Sequence, residues 1–260
     1  MQLITLTTDF GLADWFVGTM KGVILRLNPI AKIEDITHGI PPGDLRAGAF
    51  SLAASARFFP RGTVHMAVID PGVGSARKAL AVRTANYTFV GPDNGVLSWA
   101  LRKEKIKAIH RLENQRYFLR PISHTFHGRD VFAPVAAHVA RGVPLSKLGP
   151  KQRDFVQLPW PEPIVGKKWS EGEVIYIDHF GNAITNLGAE RVRDPLANTI
   201  RIRTRKGVWV CPLKTYYSAV EVETPAAIVG SSGFLEIAVN GGSAAELLGL
   251  RIGTRVRLGD

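Results

Sequence analysis

Cysteine is nearly absent: Cys211 is the only one in 260 residues. One thiol excludes an internal disulfide and any zinc site built on several cysteines. With Trp209, Val210 and Pro212 around it, it reads as a buried thiol at a strand end rather than a nucleophile. Long apolar runs are missing as well. A stretch such as Ala47 to Ala56 falls far short of the roughly 20 residues a membrane-spanning helix needs, so no membrane partner is expected. The amino end, MQLITLTTDFG, lacks a basic region followed by an apolar core and a small-residue cleavage site. It reads as a first strand, and the cytoplasm is the expected compartment. Acidic residues are outnumbered, 22 against 33 Lys and Arg, for a formal charge of +11. That charge raises nucleic-acid or membrane-surface binding, but the basic residues are spread along the chain. In the densest run Arg201, Arg203, Arg205 and Lys206 alternate with Ile200, Ile202 and Thr204, the pattern of one solvated strand face. No nucleic-acid partner is expected, and no internal repeat or low-complexity segment is present.

What is there is enough apolar side chain, 45% of the residues, to fill a substantial core. The first 150 residues alternate β-rich runs with helical stretches, the pattern of an α/β layered domain. Strands are expected at Leu3 to Thr7, Ala31 to Asp35, Thr63 to Ile69, Leu80 to Thr84 and Tyr87 to Val90. Helices are expected over Trp15 to Leu27 and Asp44 to Arg57, with Asp44 as N-cap behind Pro41-Pro42-Gly43. A third helix should start at Asp130 or Val131 and run to Ala140, with Pro134 tolerated in its first turn. Gln157 to Glu173, with three prolines and little periodicity, reads as a connection. Beyond it, short strands at Glu173 to Ile177, Thr199 to Arg203, Gly207 to Val210, Ala227 to Val229, Leu235 to Val239 and Arg255 to Leu258 suggest a small β-barrel or sandwich. The expected organisation is an amino-terminal α/β layered domain over residues 1–158, a linker over 159–172, and a smaller carboxyl-terminal β-barrel-like domain over 173–260.

Six segments concentrate polar chemistry. Thr7-Thr8-Asp9-Phe10-Gly11 ends the first strand, where open α/β sheets place ligands; Asp9 can bind a ribose diol or close a turn. Val68-Ile69-Asp70-Pro71-Gly72-Val73-Gly74 delivers a carboxylate into a turn, and Arg77 can keep it ionised and orient it. No Gly-Lys-Ser/Thr follows these glycines, so this is not a Walker phosphate loop. Gly91-Pro92-Asp93-Asn94-Gly95 reads as a turn without a catalytic role. Thr125-Phe126-His127-Gly128-Arg129-Asp130 sets His127 on a loop ahead of a helix; alternatively His124, His127 and Asp130 are metal ligands, at a spacing that is loose for a loop. In Asp178-His179-Phe180-Gly181-Asn182-Ala183-Ile184-Thr185-Asn186, an aromatic and an amide can clamp a purine. In Ser231-Ser232-Gly233-Phe234-Leu235-Glu236-Ile237-Ala238-Val239-Asn240, Glu236 interrupts an apolar strand and either holds a ligand ammonium or amide or lies on a strand face.

In order, TTDFG, DPGVG with Arg77, GPDNG, TFHGRD, DHFGNAITN and SSGFLEIAV resemble the S-adenosyl-methionine hydroxide adenosyltransferases, relatives of the fluorinases and chlorinases. The resemblance extends from Thr7 to Val239. It implies hydrolysis of S-adenosyl-methionine to adenosine and methionine, with no cofactor and no metal, in a homotrimer whose active sites lie between neighbouring subunits. Asp70, Arg77 and His127 would be the family's Asp-Arg-His set, and Asp9 would bind the ribose. Phe180 would stack on the base, Asn182 would bind adenosine, and Ser231, Glu236 and Val239 would contact the amino acid and base. The halogenases of the family carry a tyrosine where this chain has Asp70 and lack the His127 partner, which turns the expectation toward water as nucleophile. One departure stands out: Gly230 occupies the position of an asparagine in the family's more usual Asn-Ser pairing.

Overall fold

The first strand, LITLTT at Leu3–Thr8 (β1), is buried at every position, as a central strand covered on both faces must be. In the computed structural model, which describes residues 2–191 and 199–259, it lies inside a seven-stranded sheet. The other strands are β2 (Lys32–Thr37), β3 (Val64–Val68), β4 (Ala79–Thr84), β5 (Thr88–Pro92), β6 (Ile106–Arg111) and β7 (Lys151–Gln152), in the order β2-β1-β3-β5-β4-β6-β7. β2, β1, β3 and β5 run parallel, and β4, β6 and β7 extend the sheet antiparallel. Four helices belong to this unit: α1 (Phe16–Leu27), α2 (Leu45–Ser55), α3 (Ser98–Leu101) and α4 (Ala133–Ala140). Ile4, Leu6, Met20, Ile24, Met66, Phe132 and Val135 share one core. Asp44 caps α2 as its sequence promised, its carboxylate accepting from Ala47 N at 2.9 Å.

The third predicted helix starts earlier and differently. A π-helical turn, Gly128–Phe132, leads into α4, and Pro134 sits in the first turn of α4. Pro134 brings no N–H for the Asp130 carbonyl, which instead accepts from Leu119 N at 2.8 Å. The local rewinding therefore does not strand that carbonyl.

Residues 160–260 form a second unit, the first being Met1–Pro159. Its strands are β8 (Ile164–Val165), β9 (Trp169–Ile177), β10 (Ala183–Gly188), β11 (Thr199–Thr204), β12 (Gly207–Lys214), β13 (Pro225–Val229), β14 (Phe234–Val239) and β15 (Arg255–Gly259), with a short helix α5 (Ala244–Leu248). The order β10-β14-β13-β12-β11-β15-β9 closes on itself through β9–β10 pairing, giving a seven-stranded barrel with β8 added at β9. Val174, Leu187, Ile202, Leu235, Ile237 and Leu258 fill it. The proline-rich stretch read as a connection thus contains β8 and the start of β9, because its prolines stop at Pro163 and leave the later N–H groups free to pair. Cys211 lies mid-strand in β12 rather than at its end; it is buried, and burial pushes its thiol up to about 12. Ile200 and Ile202 point inward while Arg201 and Arg203 face solvent, the alternation expected of that basic run. Among the described residues no helix is long and apolar enough to cross a membrane.

Candidate active site

At the carboxyl end of β3 the chain enters the Asp70 turn, and Arg77 reaches back to it. Arg77 Nε donates to Asp70 Oδ1 at 2.9 Å and Oδ2 at 3.0 Å, and Nη2 donates to Oδ2 at 2.5 Å. The Asp70 side chain is 4% exposed and that of Arg77 11%, so the pair is shielded from bulk water. The same Nη2 lies 2.7 Å from His127 Nδ1. Asp70 and Arg77 of one turn and His127, 50 residues beyond Arg77, therefore form one chain of contacts, Asp70–Arg77–His127. Guanidinium has no acceptor, so Nδ1 must offer its lone pair, and the neutral His127 ring carries its proton on Nε2. Burial, followed by the Arg77 charge, holds His127 below its ordinary value, which keeps the ring neutral. Arg77 and His127 border a cleft of about 390 Å³ that Lys78, Arg111, Phe118 and Val131 also line.

Two neighbours hold this set that the sequence alone did not assign. Gly74 sits at φ +77°, and a Cβ there would collide with the His124 carbonyl oxygen; the bare backbone lets the Asp70 turn press against the His127 loop. Asn94, in the turn read as bland, donates from Nδ2 to Ile69 O at 2.8 Å, one residue before Asp70. Asp130 is fully buried and accepts from Arg129 and from Ser123 N, fixing the loop ahead of α4. It is thus engaged in protein contacts, and among the described residues no group of three or more His, Cys, Asp or Glu side chains gathers as a metal site would require. Asp9 also lies in this unit, at the carboxyl end of β1, where its Oδ2 accepts from Gly43 N at 2.8 Å.

The remaining candidates lie in the barrel unit and line one pocket of about 700 Å³: Phe180, Asn182, Ser231, Glu236 and Val239. Asp178 organises one wall. Its Oδ1 accepts from the backbone N–H groups of Phe180 and Asn182, and its Oδ2 accepts from Asn182 Nδ2 at 3.0 Å. The Phe180 ring is 74% exposed, leaving a face open for stacking. Glu236, on β14, is buried, and burial, reinforced by the Asp178 charge, raises its pKa against the opposing hydrogen bond from Tyr217 Oη at 2.5 Å. That bond and burial push the Tyr217 hydroxyl up to about 12. Ser232 Oγ is buried without a hydrogen-bond partner among the described residues. Tyr217 and Asp178 were not singled out by sequence; Tyr217 opens a short 3-10 turn after β12, with no motif around it. At the Gly230 departure, a Cβ would meet the end of the Glu236 side chain, which would have to shift.

The pocket lining holds two carboxylates and no Lys or Arg. It is suited to a ligand that donates hydrogen bonds or carries positive charge, such as an aminopurine, an ammonium or a sulfonium.

Residues 4–149 match the SAM hydroxide adenosyltransferase N-terminal domain, and residues 172–257 match the corresponding C-terminal domain. Relatives named (R)-S-adenosyl-L-methionine hydrolase include one from Salinispora tropica, 40% identical over 98% of this chain and 97% of its own. Another, from Thermus thermophilus, is 39% identical over 99% and 100%. A fluorinase from Nocardia brasiliensis is 28% identical over 98% of this chain and 96% of its own. A crystal structure of a conserved protein from Thermotoga maritima superimposes with a TM-score of 0.93 at 35% identity, covering 99% of this chain and 100% of that one. With both domain families matched in order and the whole length shared with hydrolases at about 40% identity, this chain belongs to the SAM hydroxide adenosyltransferase family.

Proposed function

We propose that this chain hydrolyses S-adenosyl-methionine to adenosine and methionine, transferring the adenosyl group to water. The observation that carries the proposal is the Asp70–Arg77–His127 chain, in which one guanidinium holds both a carboxylate and a neutral imidazole. In this reading the water oxygen attacks the 5′ carbon, the carbon–sulfur bond breaks, and its electron pair leaves on the sulfur of neutral methionine. Because the sulfonium is already a good leaving group, no metal or redox cofactor is invoked. Asp70 accepts the proton that water loses, and Arg77 keeps that carboxylate ionised and aimed. His127 donates through Nε2–H to the water oxygen and orients it. Alignment of this kind is worth on the order of 7 kcal/mol of barrier in ideal cases, and base assistance adds roughly 10²- to 10⁴-fold.

The barrel pocket, in the same proposal, takes the adenosyl and methionine portions, with Phe180 stacking, Asn182 reading the base edge, and Ser231, Glu236 and Val239 completing the contacts. Asp9 binds the ribose hydroxyls. The family resemblance further supports a homotrimer with active sites between neighbouring subunits, and a cytoplasmic enzyme without nucleic-acid or membrane partners. Halide as nucleophile is the competing chemistry in this family. A buried carboxylate next to the reacting carbon repels an anion and welcomes water, which favours hydrolysis.

The hydrolase relatives are named for the (R) sulfonium epimer, which points to that epimer as substrate. Incubation of the purified protein with each epimer, with and without chloride or fluoride, tests the proposal when nucleosides are resolved by chromatography and mass. Adenosine in every buffer, faster from the (R) epimer, is expected. A 5′-halo nucleoside, or no cleavage of either epimer, contradicts it.

A further inference from the structure

Apart from the Asp70 set, a polar chain centred on the buried His38 remains unused. It lies at the carboxyl edge of the same sheet and joins α1, β2 and β1. Lys21 Nζ donates to Asp35 Oδ2 at 2.6 Å, and Asp35 Oδ1 lies 3.1 Å from His38 Nε2. His38 Nδ1 meets Thr8 Oγ1 at 2.7 Å. The His38 side chain is 2% exposed.

The contacts of His38 converge on Asp9. Thr8, whose hydroxyl His38 holds, precedes Asp9, and that hydroxyl accepts from Phe10 N at 3.2 Å on the other side. The His38 carbonyl accepts from Gly11 N at 2.8 Å. Five residues after His38, Gly43 N donates to Asp9 Oδ2. The loop that His38 begins thus grips the Asp9 turn at its start, its end and its carboxylate. Asp9 Oδ1 has no protein partner among the described residues, so it is available to a ligand.

His65 shows what a histidine that serves only packing looks like in this protein. It also meets a threonine hydroxyl, Thr5 Oγ1 at 2.7 Å, but mid-strand, stacked on Phe89 and edged by Phe59 and Tyr87. His38 instead has both ring nitrogens facing polar groups and sits where the backbone turns.

Resting on the ribose role proposed for Asp9, we propose that His38 is a positioning residue that fixes the Asp9 carboxylate through Thr8 and the 38–43 loop, and so sets affinity for the ribose diol. It touches no substrate itself. A group that acts only by aiming Asp9 matters to ligands that carry the hydroxyls Asp9 binds, and to no others.

The test is calorimetric binding of adenosine and of 2′,3′-dideoxyadenosine to the full chain, in the parent protein and in the His38→Phe, His38→Asn, Asp9→Ala and His38→Phe/Asp9→Ala variants. Phe keeps ring volume and loses both polar contacts; Asn can return an acceptor toward Thr8. Expected are about ten-fold weaker adenosine binding in His38→Phe, in line with one lost well-placed hydrogen bond to a charged group, and dideoxyadenosine binding that stays unchanged. Asn should restore part of the loss, and the double variant should bind as Asp9→Ala does, since coupled residues are not additive. Equal weakening of both nucleosides, or losses that multiply in the double variant, would overturn the proposal and leave His38 a packing residue. Should His38→Phe not fold, Thr8→Val must show the same selective loss. If the parent protein binds both nucleosides alike, the ribose role of Asp9 falls and this proposal with it, while cleavage of S-adenosyl-methionine by the same sample would leave the hydrolase reading standing.

Discussion

Arg77 can only donate, and this fixes the protonation of both residues it touches. Asp70 must be the carboxylate and His127 Nδ1 the free lone pair. In the proposed mechanism the role of proton acceptor then falls to Asp70, with His127 as a neutral donor. Replacing His127 by Ala should lower kcat by roughly 10²- to 10⁴-fold while adenosine affinity, measured by calorimetry, changes little. The pH profile follows from the same contacts. His127 is held below its ordinary 6.5 by burial and by Arg77, so kcat/KM should stay level as pH falls through 6.5 and decline only below it. A decline centred at or above 6.5 in a rate profile would contradict a neutral, Arg77-bound ring.

His65 governs stability rather than turnover. Burial lowers it from 6.5 to about 4, so between those values the unfolded chain binds a proton that the folded chain excludes. Stability therefore falls as pH drops through that window, by about 3 kcal/mol in full, and is unaffected by this group above it. Urea unfolding at pH 7 and pH 4.5 should show the loss, and His65→Phe should flatten it.

Elements were legible where their burial is periodic or their caps explicit. β1, β3, α1 and α2 follow from apolar runs and the Asp44 cap. β10 was not separated from its motif because AITNLG is buried at all six positions and includes Asn and Gly; no alternation marks it, and its strand character comes from pairing with both β9 and β14. β6 escaped because IKAIHR carries three basic side chains and exposes its first half. α3 and α5 are shorter than any helical period can reveal. The six site segments could be read as polar turns at strand ends. What local sequence could not contain was their assembly: Arg77 meets His127 across 50 residues because the glycine at 74 admits the His124 carbonyl. Gly74→Ala should therefore push the two loops apart. A left-handed φ on alanine costs about 1 to 3 kcal/mol, readable by urea unfolding, and turnover should fall by more than the lost fraction of folded protein explains.

For the molecule as a whole, the proposed mechanism draws on both of the family's domains. The α/β unit carries the carboxylate, guanidinium and imidazole, and the barrel unit carries the anionic, aromatic pocket. Hydrolases at about 40% identity and a fluorinase at 28% share nearly the full length of this chain, so the nucleophile is the property on which its chemistry turns. Cleavage of S-adenosyl-methionine in heavy-oxygen water, followed by mass analysis of both products, tests that property directly. Heavy oxygen in the 5′-hydroxyl of adenosine and none in methionine is the predicted result; unlabelled adenosine, or label appearing in methionine, would contradict attack of water at the 5′ carbon.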